Sequence, residues 1–215
     1  MVRQQKKEKT QSTVGIGVCC WIDNDEQLPE LKRCLDSLTS FYPVIVINGK
    51  WHDIDGDNPR STRKANDMID SYSNVIHIQS PNRPEYINRN LYYRIAMLFD
   101  LDYLIPVDTD EWVEMPLGVE FFLNGLNNDK LDITSCLHYY SERHGGVSKQ
   151  RRLFKYPGFL RHRNRHNRLY FLDREVLQTG TLYAPRGIVI YSDKNYRSKQ
   201  REEKMSLRNK DNPIH

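Results

Sequence analysis

Apolar runs and helical stripes alternate along the first half of this chain. Val14 to Ile22 is an apolar run of nine residues followed by the polar turn Asp23-Asn24-Asp25-Glu26, which predicts a buried strand. Leu28, Leu31, Leu35 and Leu38 then recur at helical spacing, with Pro29 suited to a first turn. Val44 to Ile47 is a second continuous apolar strand, closed by the turn signal Asn48-Gly49 and a long acidic loop. Ser61 is placed to cap a helix through Ala65, Met68 and Ile69, and Asn74 to Gln79 reads as a third strand. After Pro84, the residues Ile87, Leu91, Ile95 and Leu98 mark one face of a further helix. The apolar stretch Tyr103 to Val107 predicts a fourth strand. Leu117 to Leu126 looks helical and Ile133 to Tyr140 looks like a strand, whereas the rest is basic, aromatic and irregular.

Four strands alternating with helices specify right-handed crossovers, hence an α/β fold with a mainly parallel central sheet and helices on both faces. Three segments are expected: a disordered tail over residues 1–13, one domain over 14–193, and a basic C-terminal segment over 194–215. The tail lacks the apolar core of a signal peptide, and no apolar stretch approaches the length of a membrane span. A cytoplasmic protein is therefore expected, with peripheral contact at a membrane surface left open. Cys19, Cys20, Cys34 and Cys136 have neither zinc-site spacing nor a disulfide framework, so buried reduced thiols are the expectation.

Charge changes the picture. Residues 1–140 carry 14 basic and 21 acidic side chains, while residues 141–215 carry 18 and 7. The last third therefore expects an anionic partner: a nucleotide diphosphate, a lipid phosphate or nucleic acid. A long polyanion would be repelled by the acidic part, which argues against nucleic acid.

The fourth strand ends in Asp108-Thr109-Asp110-Glu111. Residues two apart on a strand share a face, so Asp108 and Asp110 would aim at one point. Two convergent hard oxygen ligands suit Mn2+ or Mg2+, with open positions for phosphate oxygens. A calcium-binding loop is excluded, because Val113 and Val119 stand where that loop needs glycine and glutamate. In a parallel sheet, ligands bind at the carboxyl ends of the strands, where these carboxylates, Asp23 and Asn48 all lie.

These residues resemble the inverting GT-A glycosyltransferases, in particular the family 2-like group, over about residues 14 to 205. The likeness rests on Val18-Cys-Cys-Trp-Ile-Asp-Asn-Asp-Glu26 with Leu35-Asp-Ser-Leu38, on Val44 to Gly49, on Asn88-Arg89-Asn90, and above all on Val107-Asp-Thr-Asp-Glu111. It implies a GT-A-like nucleotide-diphospho-sugar transferase fold and transfer of a sugar from a nucleotide-diphosphate donor to an acceptor hydroxyl on a glycan, a lipid-linked carrier or a protein. Under this likeness Trp21 would stack on the base and Asp53 or Asp55 would hydrogen-bond base or ribose. Asn48 stands where the family commonly has aspartate. Arg89 would fork onto diphosphate oxygens. Arg151, Arg152, Arg197 and Arg201 would line the diphosphate or an anionic acceptor, the last two on a lid. The metal ligands would be Asp108 and Asp110, with Asp193 in the place of the family's late histidine. His162 and His166, at i and i+4 spacing, are alternative ligands. Inversion needs a carboxylate base on the acceptor side, for which Glu142 is the first candidate and Asp173 the second.

Three rival readings remain. A nucleotidyltransferase would need a glycine-rich phosphate loop after the first strand, yet Gly15 and Gly17 lie within it. A nucleic-acid-binding module would use the basic last third, with Tyr156, Phe159, Tyr170 and Phe171 as stacking platforms. A catalytically inactive sugar-nucleotide binder would account for the missing late histidine.

Overall fold

The computed structural model describes residues 12–51, 61–126, 131–141, 146–163, 168–172, 174–176 and 184–192. Strand β1 (Val14–Cys20) is buried along its whole length. A 3-10 turn capped by Asn24, whose side chain accepts from the Glu26 amide, leads into α1 (Leu28–Ser37). Strand β2 (Val44–Trp51) is followed by α2 (Arg63–Asp70), then β3 (Val75–Arg83), α3 (Glu85–Leu98) and β4 (Tyr103–Val107). The cap of α2 is Thr62, whose side chain accepts from the Ala65 amide. The expected cap, Ser61, instead accepts from the Ile22 amide and ties this helix to the end of β1.

The second half is richer in strands than its composition predicts. It contains β5 (Glu111–Glu114), α4 (Val119–Gly125), β6 (Thr134–Ser141) and β7 (Gly146–Lys155). Short strands β8 (Leu160–His162), β9 (Leu169–Phe171) and β10 (Arg174–Glu175) make a separate antiparallel sheet, and β11 (Val189–Ser192) returns to the main one. The main sheet has eight strands in the order β3-β2-β1-β4-β7-β6-β11-β5. Its first four strands are mutually parallel, as the alternation predicts. Beyond them β7 runs antiparallel to both β4 and β6, β11 is parallel to β6, and β5 is antiparallel to β11. The sheet is therefore mixed, and the expectation of a mainly parallel sheet is corrected.

Two apolar cores flank the sheet. One packs α1, α2 and α4 against it through Leu31, Leu35, Ile69 and Phe122. The other packs α3 through Tyr92, Tyr93 and Ala96 onto Ile45, Leu104 and Phe154. The buried positions of α3 are Glu85, Asn88, Tyr92, Tyr93 and Ala96, whereas Leu98 is exposed. Of the stripe Ile87-Leu91-Ile95-Leu98, Leu91 and Ile95 pack at the margin of this core, while its centre is filled by Tyr92, Tyr93 and Ala96. Tyrosine rings bring apolar area that a simple apolar pattern undercounts. All four cysteines are buried and free of disulfides.

Gly17 makes this packing feasible. A Cβ there would lie 2.8 Å from the Tyr92 ring, so α3 can sit this close only above a bare strand position. Gly17→Ala is expected to cost about 1–3 kcal/mol by overpacking, read as a lower urea midpoint at unchanged slope.

Candidate functional site

The site forms where the sheet topology reverses. From β1 the chain builds β2 and β3 on one side, then crosses to β4 on the other, which leaves a crevice beyond the carboxyl ends of β1 and β4. Strand β4 stops at Val107, and Asp108 to Glu111 form a turn in which the Glu111 amide donates to the Asp108 carbonyl at 3.0 Å. The two aspartates are therefore presented by a turn and not by strand alternation, which corrects the geometric argument for their convergence.

Asp108 is held between two arginines. Its Oδ1 accepts from Nη2 of Arg89 at 2.8 Å, and its Oδ2 lies 3.7 Å from Nη2 of Arg152. Arg89 reaches it from α3 and also donates through Nε to Oε1 of Glu85 at 2.8 Å, one turn earlier. Arg152 reaches it from β7, donating through Nη2 to Oε1 of Glu111 at 2.7 Å. The other Glu111 oxygen accepts from the Asp108 amide at 2.9 Å. The result is an alternating chain, Glu85–Arg89–Asp108–Arg152–Glu111. Burial opposes the Arg89 cation, but Asp108, Tyr92 and Glu85 outweigh it and hold it protonated. Arg152 is likewise largely covered, and Glu111 and Asp108 keep it charged against that desolvation.

Glu111 is the group under most tension. It is 1% exposed, and burial pushes its carboxyl up to about 7, against the pull of Arg152 and the Asp108 amide. Burial also pushes the Cys34 thiol up, beneath the turn, with Glu111, Asp108 and Asp110 adding to the shift. Its Sγ lies 3.6 Å from the Asp108 carbonyl. Neither neighbour stands out in the local sequence. Cys34 belongs to the helical stripe of α1, and the Arg152–Glu111 pair spans 41 positions.

Asp110 differs from both neighbours. It is 6% exposed, yet its carboxylate has no hydrogen bond or ion pair among the described residues. A buried carboxylate is ordinarily paired or binds a cation, so this residue fits a cation ligand. Asp108 fits one less well while both arginines hold it. Among the described residues no group of three or more His, Cys, Asp or Glu is arranged to hold a metal ion.

The remaining expected residues are scattered. Trp21, just past β1, is 9% exposed. Asn48 is buried within β2, opposite the last residue of β1, where its amide donates to Asn66 at 2.9 Å and its oxygen accepts from Ser61. Arg151 hydrogen-bonds Thr134 within the sheet at 2.9 Å, pointing away from the arginines' meeting point. His162 lies on a strand, not a helix, so helical spacing does not join it to His166. Its Nε2 is 3.1 Å from the Tyr93 hydroxyl, and Asn90 clasps its backbone with bonds of 2.6 and 2.8 Å. That arrangement anchors β8 to α3. Ser141 and Ser192 end β6 and β11 in register with each other, and Ser192 pairs with Glu111. The next residues in the chain, Glu142 and Asp193, lie outside the described residues, as do Asp53, Asp55, His166, Asp173, Arg197, Arg201 and the expected lid.

Comparison with known proteins returns no match, either to a family model or to a curated protein. Chemical reading therefore rests on the crevice itself. It offers two largely covered guanidinium groups, 13% and 16% exposed, that could exchange an internal carboxylate for an external anion, beside one carboxylate open to a cation. Phosphates, diphosphates and carboxylates are the anions that can bridge an arginine pair and a cation. No described helix is long and apolar enough to cross a membrane.

Proposed function

We propose that this protein is a metal-dependent glycosyltransferase of GT-A-like fold that moves a sugar from a nucleotide diphosphate to an acceptor hydroxyl, with inversion. The observation that carries the reading is the buried Asp110 carboxylate, which has no hydrogen bond or ion pair among the described residues, set next to the Arg89–Asp108–Arg152 cluster at the sheet's switch point. A divalent ion, Mn2+ or Mg2+, would be held by Asp110, and when bound it neutralises charge on the diphosphate leaving group. Arg89 and Arg152 would orient the diphosphate, releasing Asp108 as they do so. Glu111 would keep Arg152 pointed at the crevice. Trp21 and Asn48, which sits within β2 opposite the last residue of β1, would border the space for the nucleoside. The acceptor side would be supplied by the ends of β6 and β11 at Ser141 and Ser192.

The nucleic-acid reading has less support from the packing. Phe171 packs into the α3-side core and Tyr170 lies beneath Arg163, whose guanidinium is 4.3 Å from the ring, so the aromatic set does not make one open platform.

The experiment is a thermal-shift panel of nucleotide-diphosphate sugars with and without Mn2+. A ligand that binds the folded state raises the melting temperature. At least one donor is expected to shift it only when Mn2+ is present. If no donor does so at millimolar concentration, the proposal fails.

A further inference from the structure

The end of the molecule opposite the carboxylate turn exposes a continuous apolar surface. At the foot of α3, Met97, Leu98 and Phe99 project outward, and the Phe99 ring meets Tyr42 edge-on at 6.3 Å between centroids. On the other side Met97 packs directly on Gly158, where a Cβ would come within 2.7 Å of it, so the surface runs on to Phe159. Phe159 is 6.0 Å from Phe171, and its carbonyl accepts from the Leu172 amide at 2.9 Å. These six side chains, Tyr42, Met97, Leu98, Phe99, Phe159 and Leu172, are between 40% and 79% exposed. At roughly 200 Å2 for each large side chain they present on the order of 700 Å2 to solvent. That exceeds the roughly 300–600 Å2 of the largest patch on an ordinary monomer and approaches the about 800 Å2 that each partner buries in a standard interface.

We infer that this surface pairs with a second copy of the chain, in an isologous dimer whose two candidate sites face away from the interface. Shape and charge both fit a second copy. Next to the surface lies a cleft of about 360 Å3 with mixed walls, Tyr42, Phe99, Leu101 and Leu123 together with Ser12, Thr13 and Ser40. Leu98, 79% exposed beside it, is an apolar knob of the kind such a cleft takes, and two-fold symmetry lets each copy give one and receive one. Around the surface stand charges of both signs: the exposed acids Asp100, Asp102 and Glu120, and the exposed arginines Arg94, one turn before Leu98, Arg161 and Arg174, with Lys155 lying over Tyr156. A border of mixed sign gives an anionic bilayer no one-sided attraction, whereas two-fold pairing sets the acids of one copy against the arginines of the other.

The test is sedimentation velocity on the full chain over a micromolar concentration series, with Leu98→Arg and Leu172→Glu beside the parent. Leu98 is so exposed that arginine there leaves the fold intact, and a cation suits the last turn of a helix. The parent is expected at twice the chain mass, and each variant to dissociate at least about tenfold more readily, with unchanged circular dichroism. A parent that stays monomeric throughout, or a Leu98→Arg variant that dimerises like the parent, overturns the proposal. So does a monomer that co-sediments with phosphatidylserine vesicles, which would assign the surface to lipid.

Discussion

Replacing Asp110 with asparagine is expected to raise the melting temperature by a few degrees while abolishing metal-dependent nucleotide binding and sugar transfer. The two effects have one origin. Asp110 is buried, has no hydrogen bond or ion pair among the described residues, and adds to the negative field on Glu111 and Cys34. An isosteric amide removes that repulsion and breaks no partner bond, which should stabilise the fold by about 1 kcal/mol. If the same carboxylate holds the cation that meets the diphosphate, turnover should fall at least about 10²- to 10³-fold, the scale seen when one electrostatic contact to a transition state is removed. Scanning fluorimetry with and without Mn2+, together with single-turnover transfer, reads both effects. An Asp110→Asn protein that keeps parental turnover would remove this residue from the site. A large loss of stability would mean that the carboxylate has a structural partner after all.

Arg152→Met should produce a larger stability effect, and one that depends strongly on pH. Removing the guanidinium takes the 2.7 Å cation contact from Glu111 and one of the two arginines from Asp108. Breaking a buried pair from one side typically costs about 3–5 kcal/mol, a large share of a domain's total stability. The sign follows from the proton. The folded-state pKa of Glu111, about 7, lies above its ordinary value of 4.5, so the folded protein binds this proton more tightly than the unfolded chain does. Its contribution to stability is complete below about pH 4.5 and is lost as pH rises through 7, a change on the order of 3 kcal/mol. Removing Arg152 disfavours the carboxylate further and leaves the protonated acid untouched. Urea unfolding at about pH 8 should therefore show most of the damage, and at about pH 5 much less. Equal damage at both values would show that the loss comes from packing or from Asp108, and not from an uncompensated Glu111.

What could be seen in the sequence was what local pattern encodes. Continuous apolar runs marked β1, β2, β3 and β4, and leucines at helical spacing with an early proline marked α1. The alternation of these elements put the carboxylates at the crevice end of a parallel block. Strand β7 was hidden because Gly-Val-Ser-Lys-Gln-Arg-Arg-Leu-Phe-Lys does not alternate, and its burial is concentrated in Leu153 and Phe154. Within β7 only Phe154 and Lys155 pair with β4, so the preceding residues are laddered on one side by β6, stay largely polar, and composition alone read them as irregular. The buried face of α3 was hidden for a related reason, since tyrosines fill it. The acidic cluster was legible as residues but not as geometry. Whether Asp108 points at a cation or at an arginine depends on Arg89 and Arg152, which arrive from α3 and β7, and nothing near Asp108 in the chain announces them.

The placement of β7 also bears on how the chain can be assembled. Strand β4 is in the middle of the finished sheet, but its outer neighbour comes from residues 146–155, about forty positions later. During synthesis the parallel block β3-β2-β1-β4 is complete when Val107 emerges, with the apolar strand Tyr103–Val107 as a bare edge that any other strand could join. Helices cover the faces of that block but not its rim. The first half therefore has the layout of an independent α/β unit without being one, and Arg152, the side chain that clamps the acidic turn, travels on the strand that closes the rim. Sealing the sheet and assembling the charged crevice are the same event.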